Sequence, residues 1–272
     1  MYDMKELYEA FSVKEAIALR LEHPEAQIIA GGSDVLVQMR EGRRAGKELI
    51  SIYLVDELRG ITIDEERNIR IGSLTSFSHI TRNPIIKQYI NVLGEAVDLV
   101  GGPQIRNIGT IGGNTCNGVT SADSSSTLHA WEAVIELTGP DGVRRLPIKD
   151  FYIKASTVDI RPGEIQTAVL IPYGSYRDTW GSYFKYAMRE AMDIATTGCS
   201  VNVRLSEDKK TIERCPSLTA SPGLCLCAAR PRRRSPKAAR SLRRPCMASP
   251  GRCSWTSTPG IPGGRPRISA ST

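Results

Sequence analysis

The stretch Gln27-Ile28-Ile29-Ala30-Gly31-Gly32-Ser33-Asp34 decides the fold. Its first four residues predict a buried strand, and the glycines that follow predict a tight loop. Apolar residues then recur at Val35, Leu36 and Met39, a spacing that indicates a helix beginning at the glycine turn. The segment therefore predicts a strand, a tight loop and a helix in succession.

A second glycine-rich stretch is Gly109-Thr110-Ile111-Gly112-Gly113-Asn114-Thr115. Glycines let successive backbone N–H groups turn toward one anion, and a following helix N-terminus adds a favourable dipole. Neither stretch has the GxGxxG or GxxxxGK[ST] spacing of the usual nucleotide motifs. Either one alone also suits an ordinary turn, whereas the pair predicts a clamp on a pyrophosphate.

Short helix and strand patterns alternate through the rest of the first 214 residues. A capping box at residues 12–15 begins a helix that Pro24 closes. After Pro172 the pattern resembles the start of a second α+β unit. Alternating apolar residues predict two hairpins and two later strands, at residues 61–63 with 69–71, 134–137 with 143–146, 183–186 and 201–205.

Composition excludes several classes of protein. The 272 residues are 40% apolar, with no run near the 18 that a membrane-spanning helix needs. The first six residues carry acids where a secretory signal has basic residues, so a cytoplasmic location is expected. The net charge of +7 is uneven, because residues 215–272 hold 11 Lys and Arg and no acid, together with five of the seven Cys and nine of the 16 Pro.

Three interpretations of this tail, residues 215–272, are open. Arg230-Pro231-Arg232-Arg233-Arg234 would be the centre of a disordered arm that binds nucleic acid. Cys225-Leu226-Cys227 suggests a metal site but lacks the paired CxxC spacing that zinc favours. The third interpretation, which the mixture of Arg, Ala, Pro, Ser, Gly and Cys favours, is a disordered segment translated out of frame.

Several motifs occur in an order that carries a family resemblance. They span residues 28–34, 106–114, 121–123, 163–165 and 189–195. Up to about residue 214 the chain resembles the FAD-binding subunits of molybdenum hydroxylases, and the bacterial xanthine dehydrogenase branch most of all. The resemblance ends where the composition changes, which agrees with the frameshift interpretation.

The resemblance implies an α+β fold in three parts. Residues 1–175 would form a two-subdomain FAD-binding domain of the vanillyl-alcohol-oxidase type, with a boundary near residue 56. Residues 176–214 would begin an incomplete α+β C-terminal domain. Residues 215–272 would be the anomalous tail.

The resemblance also implies the residues that bind FAD, with no catalytic residue and no metal ligand on this chain. The first stretch would wrap the pyrophosphate and ribityl region, and the second would close on the same phosphates. Asp123 would lie near the adenosine part, Ile165 and Phe184 would line the flavin, and Lys185 would lie near its ring. The full set is Gln27, Ile28, Ile29, Ala30, Gly31, Gly32, Ser33, Asp34, Gly109, Thr110, Ile111, Gly112, Gly113, Asp123, Ile165, Phe184 and Lys185.

By resemblance, the function is electron transfer within an oxidoreductase of the xanthine dehydrogenase type. During hypoxanthine and xanthine oxidation, electrons would pass from a molybdenum cofactor on one partner subunit and iron–sulfur clusters on another through FAD to NAD+. The assembly would be a heterotrimer or its dimer, with no membrane or nucleic acid involved. Three alternatives stay open: an aldehyde, nicotinate or CO type of molybdenum hydroxylase, a nucleotide-binding module without turnover, and a nucleic-acid-binding protein acting through the tail. Cys116 suits either a redox thiol or a small packing residue.

Overall fold

The computed structural model describes residues 3–221 and 224–228, with side chains for residues 3–216. The helices are α1 Val13–Glu22, α2 Val35–Arg40, α3 Phe77–Arg82, α4 Pro84–Tyr89, α5 Asn91–Asp98, α6 Pro103–Ile108, α7 Ile111–Asn117, α8 Asp123–Ala130, α9 Ile148–Phe151 and α10 Tyr173–Tyr176. The strands are β1 Met4–Glu9, β2 Gln27–Ile29, β3 Lys47–Ser51, β4 Ile61–Ile63, β5 Ile69–Gly72, β6 Val134–Gly139, β7 Gly142–Pro147, β8 Tyr152–Lys154, β9 Thr157–Val158, β10 Ile165–Ile171, β11 Thr179–Tyr186, β12 Thr197–Leu205, β13 Ile212–Arg214, β14 Ser217–Ser221 and β15 Leu224–Ala228.

A three-stranded parallel sheet in the order β1-β3-β2 forms the N-terminal layer. The Ser12 hydroxyl caps α1 by accepting the Glu15 N–H, as the capping box predicts. The strand β2 leads through the glycines directly into α2, so the predicted order of strand, loop and helix is confirmed. This layer has its own apolar core, which includes Ile50, Leu58 and Leu74.

A five-stranded antiparallel sheet in the order β4-β5-β10-β6-β7 forms the second layer. Both predicted hairpins are confirmed, since β4 pairs with β5 and β6 pairs with β7. Every residue of β10 is buried, because this strand lies at the centre of the sheet. Helices α3, α4, α5 and α8 contribute to a second core that includes Leu93 and Trp131.

A third, antiparallel sheet contains β11, β12, β14 and β15, with β13 paired to β12. The two strands expected at residues 183–186 and 201–205 lie within β11 and β12. Strands β14 and β15 belong to the tail, so the prediction that the tail has no regular structure is wrong for these residues. Strand β14 pairs with β12 through hydrogen bonds between backbone N–H and C=O groups. Every residue type except proline has both groups, so the amino-acid composition of the tail did not reveal this pairing.

The mixture of helices with one parallel and two larger antiparallel sheets confirms the α+β class. Within residues 3–221 and 224–228, no helix is both long and apolar enough to cross a bilayer. The arginine-rich stretch at residues 230–234 lies outside the described residues, as do the side chains of Cys225 and Cys227. The hypothesis about the reading frame therefore stays a prediction.

Candidate flavin-binding site

A cavity of about 600 Å³ lies where the first and second apolar cores meet. Leu74 and Ile165 of the first core and Phe77 of the second contribute to its wall. The wall also includes the first glycine loop (residues 30–34), much of the second glycine loop (residues 109–115) and part of β10. The volume is in the range that cofactor sites use.

The two glycine loops touch each other at Gly31. A Cβ built on Gly31 would lie 1.7 Å from the Ile108 carbonyl oxygen and 3.4 Å from the Gly109 nitrogen. No side chain fits at that distance, so the backbones approach as closely as they do only because residue 31 is glycine. Gly32 has a φ of +75°, the left-handed region that favours glycine.

The first glycine loop offers backbone donors that no group in the described part of the chain uses. The N–H groups of Gly31, Gly32, Ser33 and Asp34 have no hydrogen-bond acceptor among residues 3–221 and 224–228. All four residues line the cavity. Successive free N–H groups ahead of a helix are the arrangement that binds phosphate in proteins.

The second glycine loop differs, because its donors are already used. The Gly112 N–H donates to the Ser73 carbonyl at 2.9 Å, and the Gly113 N–H donates to the Thr110 hydroxyl at 3.1 Å. The Asn114 N–H donates to the Thr110 carbonyl at 3.0 Å. The expectation that this stretch turns successive free N–H groups toward an anion is therefore wrong, since α7 begins at Ile111 and takes Gly112 and Gly113 into its first turn.

The glycines of the second glycine loop instead permit close packing. A Cβ on Gly112 would lie 2.5 Å from the Ser73 Cβ, and a Cβ on Gly109 would lie 2.8 Å from the Ile105 carbonyl oxygen. At Gly113 the neighbour within 4 Å, among the residues that the structure describes, is the Thr110 hydroxyl, at 3.0 Å. The second glycine loop thus brings α7 against the sheet, with Gly113 at the cavity wall.

The positive charge around the cavity comes from arginines that the sequence motifs did not identify. Arg20, Arg43 and Arg44 line it, together with the acids Asp34 and Glu164. The Glu164 carboxylate is occupied by the Arg144 guanidinium, with contacts of 2.7 and 2.9 Å.

Hydrogen bonds from Arg144 hold the pKa of Glu164 below its usual value. With Glu164 paired in this way, the cavity wall has more positive than negative charge. This charge balance suits an anionic ligand.

A polar cluster on the β10 side of the cavity was also missed. The Gln166 side-chain oxygen accepts hydrogen bonds from the Thr115 hydroxyl at 2.9 Å and the Cys116 thiol at 3.0 Å. The Gln166 side-chain nitrogen and the Ser73 hydroxyl have no partner among the described residues. Burial raises the pKa of Cys116 to about 12, so the thiol stays protonated and is a poor nucleophile.

Most of the predicted binding residues meet at the cavity. The lining contains Gln27, Ile28, Ala30, Gly31, Gly32, Ser33, Asp34, Gly109, Thr110, Gly112, Gly113 and Ile165. Ile29 and Ile111 belong to the same two segments but do not line it, and Ile111 is buried in the second core. The lining also excludes Asp123, Phe184 and Lys185.

These last three residues are found around β11. The Lys185 ammonium contacts the Asp123 carboxylate at 2.9 Å, and the Tyr183 hydroxyl donates to the same carboxylate at 2.6 Å. Burial raises the pKa of Asp123, and these two hydrogen bonds oppose the shift. Phe184 faces the other side of β11 and is 66% exposed. A role for these three residues in flavin binding stays a prediction.

The comparisons with known proteins agree on one family. A family model described as the FAD binding domain in molybdopterin dehydrogenase matches residues 3–174. The putative xanthine dehydrogenase FAD-binding subunit of Escherichia coli K12 is 39% identical over 205 residues, which are 75% of this chain and 70% of the relative. The carbon monoxide dehydrogenase medium chain of Hydrogenophaga pseudoflava is 32% identical over 196 residues, covering 72% and 67% of the two chains.

Solved structures give the same result for the fold. A carbon monoxide dehydrogenase from Hydrogenophaga pseudoflava, which lacks the Mo-pyranopterin moiety of its cofactor, superposes with a TM-score of 0.75 at 29% identity. The match covers 81% of this chain and 75% of that one. A cyanide-inactivated Cu,Mo-CO dehydrogenase also superposes with a TM-score of 0.75, at 26% identity.

Proposed function

Since the chain belongs to the family of FAD-binding subunits of molybdenum hydroxylases, we propose that the cavity between its two glycine loops holds the FAD. The first glycine loop would bind the pyrophosphate through the N–H groups of Gly31, Gly32, Ser33 and Asp34. The second glycine loop would form the opposite wall. Gln27, Ile28 and Ile165 would complete the site.

The observation that carries this proposal is the run of four free N–H groups beside a cavity with net positive charge. FAD has a dianionic pyrophosphate, and such a group needs both hydrogen-bond donors and compensating charge. A Cβ at Gly31 would occupy space that the neighbouring backbone already fills, so the shape of this wall depends on glycine. The residues present therefore fit the cofactor.

When bound, FAD supplies the redox chemistry, which no side chain in this cavity provides. The chain contributes binding, orientation and electrostatics. Apolar residues such as Leu74, Phe77 and Ile165 would exclude water from part of the cavity. The Cys116 thiol would act as a neutral hydrogen-bond donor to Gln166 and not as a redox group.

We propose further that the complete enzyme is of the xanthine dehydrogenase type. The subunit would pass electrons from iron–sulfur clusters on one partner to NAD+, with the molybdenum cofactor on another partner, during hypoxanthine and xanthine oxidation. The 39% identity to the putative xanthine dehydrogenase subunit, against 32% to the carbon monoxide dehydrogenase chain, favours this type. A heterotrimer in the cytoplasm is part of the same proposal.

The division of the chain also belongs to this proposal. Residues 1–175 would form the FAD-binding domain, with its internal boundary near residue 56, and residues 176–214 would begin the C-terminal domain. The third sheet would then lie against the flavin domain through β11, whose Tyr183 and Lys185 contact Asp123 of α8.

Two measurements test the function. The purified full chain should carry flavin, visible by absorbance, and the flavin released on denaturation should be FAD by chromatography. Coexpressed with its iron–sulfur and molybdenum partners, the chain should support NAD+ reduction by xanthine or hypoxanthine. Absence of flavin would contradict the cofactor assignment, whereas turnover of CO or nicotinate in place of purines would contradict only the xanthine dehydrogenase type.

A further inference from the structure

Arg44 is one of two half-buried arginines that line the cavity without a carboxylate partner among the described residues; the other, Arg20, donates to the backbone carbonyls of Pro24 and Ala26. The guanidinium of Arg44 is held by two neutral side chains. Its Nε donates to the Gln38 oxygen at 2.5 Å, and its Nη1 donates to the Gln27 oxygen. Within the described residues no carboxylate lies within ion-pair distance of Arg44, and its Nη2 has no acceptor.

The neighbouring Arg43 makes a clear contrast. Arg43 is exposed, and its guanidinium forms an ion pair with Glu41. The acid nearest to Arg44 in the hydrogen-bond network is Asp34, which Arg44 reaches only through the amide of Gln38. The charge of Arg43 is therefore compensated within the protein, and the charge of Arg44 is not.

A partly buried cation without a counter-ion is costly unless a ligand supplies the missing charge. Arg44 lines the same cavity as the four free N–H groups of the first glycine loop, so two independent features indicate an anion there. The guanidinium is planar and has an unused edge, which matches the geometry of phosphate oxygens. Gln27 and Gln38 fix its orientation and leave its charge intact.

We propose that Arg44 is a phosphate-binding residue that pairs with the pyrophosphate of the bound flavin nucleotide, and that Gln27 and Gln38 position it. The inference rests on the proposed function and extends it to a residue outside the glycine motifs. It assigns Arg44 a specificity role, because a ligand with a pyrophosphate gains this ion pair and riboflavin does not.

The test measures FAD affinity of the flavin-free full chain by fluorescence titration, with ADP as a competing probe that carries two phosphates and no flavin. The variant Arg44→Gln should weaken FAD and ADP binding by at least about tenfold, the usual effect of losing a hydrogen bond to a charged group. Arg44→Lys should recover part of the affinity, since Lys keeps the charge but loses the planar fork. Arg177→Gln is the control and should leave both affinities within about twofold, because Arg177 is an exposed arginine that pairs with Asp178 at 3.0 Å and does not line the cavity.

Salt dependence separates an ionic contact from a structural role. Binding of FAD to the unmodified chain should weaken between about 0.1 M and about 1 M salt, and Arg44→Gln should flatten this dependence. Equal effects of Arg177→Gln and Arg44→Gln, or an unchanged salt dependence in Arg44→Gln, would overturn the assignment of Arg44. Failure of the unmodified chain to bind FAD at all would instead overturn the proposed function.

Discussion

The two glycine loops look alike in sequence and differ in what they offer a ligand. The first glycine loop has four consecutive N–H groups without a partner in the described chain, whereas those of Gly112, Gly113 and Asn114 in the second are hydrogen-bonded internally. The glycines of the second glycine loop serve close packing, as the 2.5 Å between a Gly112 Cβ and Ser73 Cβ illustrates. A glycine-rich stretch therefore predicts close backbone approach more reliably than it predicts an anion site.

The contact between the loops makes them depend on each other. Gly31 presses against the carbonyl of Ile108, which ends α6 immediately before the second glycine loop. A substitution that separates the loops should therefore weaken both the binding of FAD and the packing that stabilises the fold. A substitution that leaves the loops in contact should affect mainly one of these two properties.

The largest expected effect is that of Gly31→Ala. The new Cβ would lie 1.7 Å from the Ile108 carbonyl oxygen, so the loops must separate. We expect a loss of ~3 kcal/mol in the free energy of unfolding and almost no bound flavin, measured by denaturant unfolding and flavin absorbance. Gly174→Ala is the control, because no atom of residues 3–221 and 224–228 lies within 4 Å of a Cβ there. A stable, flavin-loaded Gly31→Ala chain would contradict the contact between the loops.

A smaller effect should follow a charge placed in the second glycine loop. Gly113→Asp would put a carboxylate at the cavity wall, where it would repel the pyrophosphate. We expect FAD affinity to fall by at least about tenfold at nearly unchanged stability. Gly113→Ala is the matched control and should keep most of its flavin, since within the described part of the chain a Cβ there meets just the Thr110 hydroxyl, at 3.0 Å. Equal flavin content in the two variants would place the phosphates elsewhere.

Removing the cap of α7 should affect stability more than binding. The Thr110 hydroxyl accepts the Gly113 N–H at 3.1 Å, so Thr110→Ala leaves this donor without its partner. We expect a loss of ~1 kcal/mol in the free energy of unfolding, with FAD affinity changed by less than about threefold, because the second glycine loop acts through packing. Thermal unfolding and FAD titration on the same sample measure both quantities. A loss of FAD binding free energy greater than the loss in the free energy of unfolding would indicate that Thr110 contacts the cofactor.

The smallest expected effect concerns Cys116, which follows the second glycine loop. Burial raises the pKa of the Cys116 thiol from 9.0 to about 12. Above pH 9 the folded chain therefore keeps the thiol proton, whereas the unfolded chain releases it. This difference lowers the free energy of unfolding as the pH rises above 9. We expect iodoacetamide at pH 9 to leave Cys116 unmodified in the native chain and to modify it in denaturant, as read by peptide mass mapping. Cys116→Ser should retain its flavin. Rapid modification of Cys116 by iodoacetamide in the native chain would support the interpretation of Cys116 as a redox thiol.

Local sequence patterns predicted those helices, turns and hairpins whose structure depends on a single short-range motif. The capping box at Ser12, the glycine turn after β2 and the two hairpins each depend on residues that are neighbours in sequence. The first glycine loop was predicted for the same reason. Family resemblance added Ile165, whose place at the cavity no local pattern indicates.

The rest of the site depends on contacts between distant residues. The partner of the Gly112 N–H is Ser73, 39 residues earlier in the chain, and no local pattern reveals it. The partner of the Gly113 and Asn114 N–H groups is Thr110, whose role as the cap of α7 was a local signal that the sequence reasoning missed.

Arg44 was not identified because Arg43 beside it has the same side chain, and only the partners of the two guanidinium groups distinguish them. Arg44 follows Gly32 by 12 residues, and the absence of a carboxylate partner in the described chain is visible only in three dimensions.

Hydrogen–deuterium exchange with and without FAD tests the central claim most directly, namely that the first glycine loop binds the phosphates and the second supports it. In the flavin-free chain, amides of residues 31–34 should exchange fast and those of residues 112–114 slowly, because only the latter are hydrogen-bonded. Addition of FAD should slow exchange strongly in the first glycine loop and change the second little. A larger gain of protection in residues 112–114 than in residues 31–34, or none in either, would contradict the account.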